Sequence, residues 1–129
     1  MNHLEVGKRG EDMALEYLLE KGMRLVEKNF WMPFGEIDLV MKDKEKRWIF
    51  VEVKTLVRRG GDLIPEDEMT RSKVDRFKRV VEYYIRRGDF EDQGKEVEMR
   101  LDLVAVQFGM EGDYLTNKYN HFIKHYEGI

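Results

Sequence analysis

The chain of 129 residues contains no cysteine, which excludes disulfide bonds and thiolate metal sites. It has three histidines, His3, His121 and His125, and their spacing matches no zinc-site pattern. No stretch approaches the roughly 18 consecutive apolar residues of a membrane span, and the N-terminus lacks the apolar run of a signal peptide. We therefore expect no membrane partner and a cytoplasmic location.

The chain also has little net charge. Its 23 lysines and arginines nearly balance 26 acidic residues, which leaves a net charge of −3. The molecule as a whole is therefore not a basic nucleic-acid binder, and any such binding would depend on a local patch of cations. Apolar residues make up 42% of the sequence, as is typical of a globular protein. The length predicts a single domain over residues 1–129.

Hydrophobic periodicity predicts two helices and five strands in the order α-β-β-β-α-β-β. This order is typical of a mixed α/β (α+β) domain, in which a central mixed β-sheet is flanked by helices. The expected helices cover residues 4–21 and 72–87, and Ser72 and Asp75 resemble a capping pair for the second. The expected strands cover residues 23–30, 35–40, 47–54 and 97–108, with one or two further strands between residues 114 and 126.

The second and third strands are the centre of the pattern. They flank residues 42–46, a polar run that predicts an exposed hairpin loop. In a hairpin around this loop, paired residue numbers add to about 88–90, so Asp38 lies opposite Phe50 or Glu52. In either register Asp38, Glu52 and Lys54 share one sheet face, because side chains alternate with a period of two. The opposite face is expected to be apolar core, formed by Ile37, Leu39, Ile49, Val51 and Val53.

Two carboxylates and an ammonium group within apolar strands have two explanations, because buried charges are unfavourable unless they are paired or bound to a metal. In the first, Lys54 forms a salt bridge with Asp38 or Glu52. In the second, the two acids bind a hard divalent cation such as Mg²⁺, which relieves their repulsion. Lys54 would then orient or deprotonate a water beside the metal. The strand pattern alone leaves both explanations open.

Other candidate positions lie before the hairpin. Glu11, on the first helix, is by itself most simply a solvated charge. Gly7 and Gly10 each disfavour that helix by about 1 kcal/mol relative to alanine. They indicate close approach by a backbone or a ligand, or a helix that starts later. Trp31 and Phe34 are expected to pack across the connection between the first two strands.

The second helix presents many cations on the face opposite its apolar stripe. They are Lys73, Arg76, Lys78, Arg79, Arg86 and Arg87. A solvated helix face is the simpler explanation. The functional alternative is that Lys73 and Arg76, with their neighbours, contact phosphates and supply the local patch that the net charge hides.

The short pattern of Asp38, Glu52 and Lys54 becomes far more specific when its surroundings are included. Further segments are Gly10-Glu11, Ala14, Tyr17-Leu18, Gly22, Asn29, GEIDL at residues 35–39, FVEVK at residues 50–54, Lys73, and RLD at residues 100–102. Together they resemble the YraN-like family of small bacterial proteins. That family is similar to archaeal Holliday junction resolvases and to the restriction-endonuclease-like PD-(D/E)XK group.

The resemblance implies roles for individual residues. Asp38 and Glu52 match metal-binding acids, Lys54 matches the catalytic lysine, and Glu11 matches an acid that approaches the same metal. Glu36 shares a face with Asp38 by alternation and is a further candidate acid. Two residues depart from the pattern: Ile37 stands in place of a proline, and Leu56 in place of an arginine. Arg58 and Arg59 are candidates to replace that arginine. Lys73 matches a helix lysine near the site, and a phosphate contact is its expected role. Asp102 is expected to pair with Arg100 first and to support the site second.

The implied function is a Mg²⁺- or Mn²⁺-dependent endonuclease that hydrolyses phosphodiester bonds in DNA. Branched or junction DNA in repair or recombination is one candidate substrate. A non-catalytic nucleic-acid-binding adaptor is an alternative, as is a structural or interaction protein with a buried ion network. Cutting a junction symmetrically would require a homodimer, for which the C-terminal aromatics Tyr119, Phe122 and Tyr126 are a candidate contact.

Overall fold

The computed structural model describes residues 3–58, 70–87, 98–113 and 118–129. Two helices and five strands lie within these ranges, in the predicted order. The helices are α1 (His3–Glu20) and α2 (Arg71–Arg86). The strands are β1 (Arg24–Met32), β2 (Gly35–Lys42), β3 (Trp48–Arg58), β4 (Met99–Asp113) and β5 (Lys118–Glu127). Neither helix in these ranges is long and apolar enough to cross a membrane.

The five strands form one mixed sheet in the order β1-β2-β3-β4-β5. All neighbouring pairs are antiparallel except β3 and β4, which are parallel over their whole paired length. A parallel pair needs a crossover connection, and α2 lies within that connection. The fold is therefore the mixed α/β arrangement that the sequence predicts, with β3 at its centre.

The hairpin between β2 and β3 has the register that sets the site. Leu39 pairs with Val51 and Lys42 with Trp48, so paired residue numbers add to 90. Asp43 holds the turn, because its Oδ1 accepts hydrogen bonds from the backbone N–H groups of Glu45 and Arg47, each at 2.9 Å. Of the two expected registers, this is the one that brings Asp38 opposite Glu52.

Each face of the sheet is covered by one helix. On the α1 face, Ala14 and Leu18 pack on the sheet, and Leu39, Ile49, Val51 and Val53 belong to this cluster as predicted. On the α2 face, a second cluster includes Phe77, Val80 and Tyr84. The prediction of a single core face was therefore incomplete, because the face that carries the acids is also apolar farther along the strands.

The prediction for Ile37 was wrong. It packs in the α2 cluster, whereas Leu39, two residues later, packs in the α1 cluster. The regular alternation breaks between them, beside Asn29 of β1, which has a left-handed φ of 55°. Lys28 pairs with Leu39 and Phe30 with Ile37, so the break in both strands falls at the level of Asn29 and Asp38. Asp38 thus lies at the point where the alternation of side chains between the two faces of the sheet shifts by one residue.

Gly10 lets α1 approach the sheet closely. A Cβ at this position would overlap the side chain of Thr55 on β3, whereas a Cβ at Gly7 would have no atom within 4 Å. The helix already begins at His3. Of the explanations offered for the two glycines, close approach therefore holds for Gly10, and a late helix start does not.

Three local expectations differ from the structure. The cap of α2 is Thr70, whose side chain accepts from the Lys73 N–H at 3.3 Å, so Ser72 is not the capping residue. Trp31 and Phe34, expected to pack across their turn, are instead 67% and 41% exposed. The turn expected at residues 109–112 is instead part of β4, with a register irregularity between Phe108 and Gly112.

Asp102 is the centre of a buried polar network on β4. It is fully buried, and its two carboxylate oxygens accept from the Nε and a terminal nitrogen of Arg100 at 2.8 and 2.9 Å. His125 Nε2 lies 2.7 Å from Oδ2, and the Gly128 N–H donates to Oδ1 at 3.1 Å. The predicted pairing with Arg100 is thus present. Through His125 and Gly128, the network ties the C-terminus to the sheet.

Candidate metal centre

Asp38 is the most buried acid of the predicted site, with 4% of its surface exposed. Its Oδ2 accepts the backbone N–H of Val53 at 2.7 Å. The paired residues of β2 and β3 end at Leu39 and Val51, and beyond this point the Asp38 side chain takes a β3 backbone N–H. One oxygen of the carboxyl is therefore fixed by the backbone of the neighbouring strand.

Three carboxyl groups from α1 and β2 come together at this point. Glu11, Glu36 and Asp38 each place a carboxylate oxygen so that the three oxygens lie within 4.8 Å of one another. Glu11 is half-buried and Glu36 is exposed. The close approach of α1 at Gly10 positions Glu11, the next residue. Three oxygen ligands on one side are a donor set that suits a hard cation.

Glu52 is the fourth acid of the group, which we call the acid cluster: Glu11, Glu36, Asp38 and Glu52. Its side chain is half-buried on β3 and lies near Asp38, whose pKa is raised by the charge of Glu52. Grouped carboxyl groups favour their protonated forms, because each added negative charge repels those already present.

Burial and mutual repulsion raise the pKa values of three acids of the acid cluster. Burial is the largest cause that raises the pKa of Asp38, and the charge of Glu52 raises it further, against the opposing hydrogen bond from the Val53 N–H. Burial also leads the causes that raise the pKa of Glu52. The pKa of Glu11 is raised in turn, first by burial and then by the charge of Glu36.

Lys54 lies beside the acid cluster and compensates it in part. Its charge lowers the pKa of Glu52, but burial outweighs this effect and the pKa of Glu52 remains raised. Asp102 shows what a compensated site looks like. Burial alone would raise its pKa, yet hydrogen bonds from His125, Arg100 and Gly128 hold the pKa of this carboxyl below its usual range. The acid cluster is therefore not a balanced ion-pair network.

A cavity of about 220 Å³ opens beside these acids, between the sheet and α2. Its walls are Gly35, Glu36, Glu52, Lys54, Lys73, Arg76, Phe77 and Val80. It thus brings five of the predicted site residues together: two acids and three cations, over an apolar floor. A Cβ at Gly35 would lie 3.0 Å from Val80 Cγ2, so this glycine lets β2 approach α2 closely.

Some predicted residues lie elsewhere. Arg58 is the last residue of β3, and Arg59 lies outside the described residues. Asp102 belongs to the separate network with Arg100 and His125. Of the aromatics proposed for a dimer contact, Phe122 is 61% exposed and Tyr126 is half-buried, while the side chain of Tyr119 lies outside the described part of the chain.

Sequence reasoning missed Lys28. Its charge lowers the pKa of Glu11, which shows that this β1 cation lies near the acid cluster. The signal was available in principle, since Lys28 pairs with Leu39, the residue after Asp38. It required the register between β1 and β2, which the sequence pattern did not define.

Comparison of the sequence with known proteins identifies the family to which this chain belongs. The model for the family described as "Uncharacterised protein family UPF0102" matches residues 10–106, a span that contains the acid cluster and the cavity cations. The UPF0102 protein of Shewanella loihica is 38% identical over 119 residues, which cover 91% of this chain and 96% of the relative. That of Dictyoglomus turgidum is 35% identical over 120 residues, covering 92% and 96%. That of Thermodesulfovibrio yellowstonii is 37% identical over 108 residues, covering 82% and 88%. This chain belongs to the UPF0102 family, the YraN-like proteins that its sequence resembles.

Proposed function

We propose that this protein is a metal-dependent endonuclease that hydrolyses phosphodiester bonds in DNA. Branched or junction DNA in repair or recombination is the candidate substrate, Mg²⁺ or Mn²⁺ the cofactor, and the cytoplasm the location. The observation that carries the proposal is the acid cluster with its raised pKa values, set beside a cavity that carries three cations. The resemblance of the sequence to the restriction-endonuclease-like group supports the same function. We propose that residues 1–129 form a single domain of that kind.

The donor set fits a hard divalent ion. Glu11, Asp38 and Glu52 offer carboxylate oxygens from three elements, and Glu36 is a fourth donor near them. Grouped acids with raised pKa values repel one another, and a cation that displaces their protons relieves the repulsion. A magnesium or manganese ion, when bound, supplies a Lewis acid for a phosphate oxygen and lowers the pKa of a coordinated water.

The other residues of the cavity bind and orient the substrate. Lys73 and Arg76 are exposed on the first turns of α2, where their charges attract a phosphate into the cavity. Lys54 approaches the same space from the sheet and donates to the attacking water or to the oxygens of the phosphate. The Val53 N–H fixes Asp38, so this acid keeps one oxygen oriented as the substrate enters.

Of the two alternatives, the structural ion network is the weaker. A network kept for stability would lower the pKa values of its acids, as at Asp102, whereas those of Glu11, Asp38 and Glu52 are raised. A nucleic-acid-binding adaptor would use the cations of the cavity but would have no use for the grouped acids. Experiments can distinguish the three functions: a nuclease requires a divalent cation, an adaptor binds nucleic acid with an affinity that falls with salt, and a structural network requires neither.

Cleavage of a labelled substrate panel tests the proposal. The panel contains a four-way junction, a flap, a nicked duplex, a single strand and RNA, each incubated with Mg²⁺, Mn²⁺ or a chelator. We expect metal-dependent cutting by the wild type and none by Asp38→Asn. Salt-sensitive binding without cutting would support the adaptor. Equal cutting by both proteins would trace the activity to a contaminant and refute the assignment.

A further inference from the structure

Trp31 is a large apolar side chain in an unusual place. It is 67% exposed near the end of β1, and Phe34, in the turn that follows, is 41% exposed. β1 is an edge strand of the sheet. The other tryptophan of the chain, Trp48, is 4% exposed and packs in the α2 cluster. An exposed indole beside a candidate active site is a candidate binding residue.

The register places Trp31 next to the acid cluster. Its cross-strand partner is Glu36, and directly opposite residues of an antiparallel pair have their side chains on the same face. A carboxylate oxygen of Glu36 lies within 4.8 Å of one on Asp38. The indole is thus one residue pair away from the carboxylates that are proposed to bind the metal.

Glu36 also connects Trp31 with the cations. It lines the same cavity as Lys54, Lys73 and Arg76. Glu36 therefore has the aromatic side chain opposite it, the acids beside it and the cations in the same cavity. Proteins that bind single-stranded nucleic acids combine these two elements: aromatic side chains on which the bases stack, and cations that attract the phosphate backbone.

We propose that Trp31 stacks on an unpaired base of the substrate strand while the adjacent phosphate enters the cavity. The ligand is a nucleic acid with at least one unpaired or unstacked nucleotide beside the cleaved bond. A base inside an intact duplex is covered by its neighbours and cannot present its face to a side chain on a strand edge. This inference rests on the proposed function and narrows its substrates to strands with an accessible base.

Intrinsic fluorescence reads the proposed contact directly, because Trp31 is one of only two tryptophans in the chain and Trp48 is buried. The wild-type protein is titrated, in chelator, with a single-stranded oligothymidylate and with a blunt duplex of equal length. We expect the single strand to quench the emission and the duplex not to. Trp31→Phe should abolish the quenching but retain most of the affinity, because phenylalanine can still stack.

Trp31→Ala is the affinity test, with binding followed by the anisotropy of a labelled strand. Stacking of one base predicts a loss of about 5- to 150-fold in affinity for the single strand. Duplex affinity should be unchanged. The matched control is Leu19→Ala, which removes another exposed apolar side chain, 46% exposed on α1, and should leave both affinities unchanged. Single-strand binding without quenching, equal losses on both ligands, or no binding at all would each overturn the proposal.

Two further measurements distinguish base stacking by Trp31 from the proposed nuclease activity and from a protein–protein contact. Metal-dependent cutting by the wild type without any quenching would refute the stacking and leave the nuclease in place. Quenching without cutting on any substrate would do the reverse. Sedimentation of wild type and Trp31→Ala covers the remaining case: if the substitution dissociates a dimer and leaves strand affinity unchanged, the surface is a protein contact and the proposal fails.

Discussion

Asp38→Asn removes a charge from the most buried carboxyl of the acid cluster and keeps its hydrogen bonds. The amide oxygen of asparagine can accept the Val53 N–H as Asp38 Oδ2 does at 2.7 Å. Its NH₂ group can donate to the carboxylates of Glu11 and Glu52, which lie near Asp38 in the wild type. We therefore expect the metal-free variant to be more stable than the wild type, although it is inactive.

The size of the gain follows from the geometry. Carboxylate oxygens of Glu11, Glu36 and Asp38 lie within 4.8 Å of one another, and at an effective dielectric constant of 20 two unit charges at that distance repel by about 3.5 kcal/mol. Proton uptake by Asp38 relieves part of this repulsion, so we expect a net gain of about 1–3 kcal/mol in the free energy of unfolding at about pH 8. At roughly 4 °C per kcal/mol, Tm rises by about 4–12 °C.

The pH dependence independently predicts the direction of the stability difference between Asp38→Asn and the wild type. The pKa of Asp38 is raised in the folded protein, so its protonation stabilises the fold fully below the unfolded pKa of about 3.9, and this contribution is lost as the pH rises. The Tm advantage of Asp38→Asn should therefore grow from about pH 5 to about pH 8.

Calorimetric unfolding with chelator, and with millimolar Mg²⁺ or Mn²⁺, measures both effects. Metal should raise the Tm of the wild type and have little effect on Asp38→Asn. Glu16→Gln, at an exposed position on α1, is the control and should respond to metal as the wild type does. If metal-free Asp38→Asn is less stable than the wild type, the carboxyl of Asp38 does not carry the repulsion; if metal raises its Tm as much, that carboxyl does not bind the metal.

Three further predictions concern the surroundings of the acid cluster. Gly10→Ala should reduce the free energy of unfolding by about 1–3 kcal/mol and weaken the metal response, because the new Cβ overlaps Thr55 and displaces Glu11; Gly7→Ala, with open space at its Cβ, should instead stabilise α1 by up to about 1 kcal/mol. Lys54→Ala should abolish cleavage but keep the metal-induced rise in Tm, and undiminished cleavage would show that its assigned role is wrong. Asp102→Asn should destabilise the fold by about 3–5 kcal/mol at neutral pH. The lowered pKa of Asp102 means that its contribution is present above about pH 4 and is lost as the pH falls through the folded pKa, so acid unfolding of the variant should be less steep.

The centre of the site could be predicted because it depends on local regularities. The polar run at residues 42–46 defines the hairpin, and the symmetry of an antiparallel ladder then limits the partner of Asp38 to two residues. In the structure the paired residues end at Leu39 and Val51, in the register that would place Glu52 opposite Asp38 if it continued by one residue. Alternation along β3 likewise places Glu52 and Lys54 on one face, where both line the cavity.

What could not be predicted depends on contacts between elements distant in sequence. The left-handed Asn29 on β1 coincides with the change of pleat phase that sends Ile37 to the α2 face, and no residue of β2 signals it. Exposure of Trp31 follows from its place on an edge strand, which only the strand order reveals. The position of Glu11 came from family resemblance, with Gly10 as the one physical hint that α1 lies close to the sheet.

The most direct test of the central claim is the anomalous scattering of crystals grown with Mn²⁺. We expect a manganese peak in contact with the carboxylates of Asp38 and Glu52, with Glu11 close to it and Lys54 on the substrate side. A structure in which the acids bind no manganese at millimolar concentration, and Lys54 Nζ instead lies among them as their counter-ion, would contradict it.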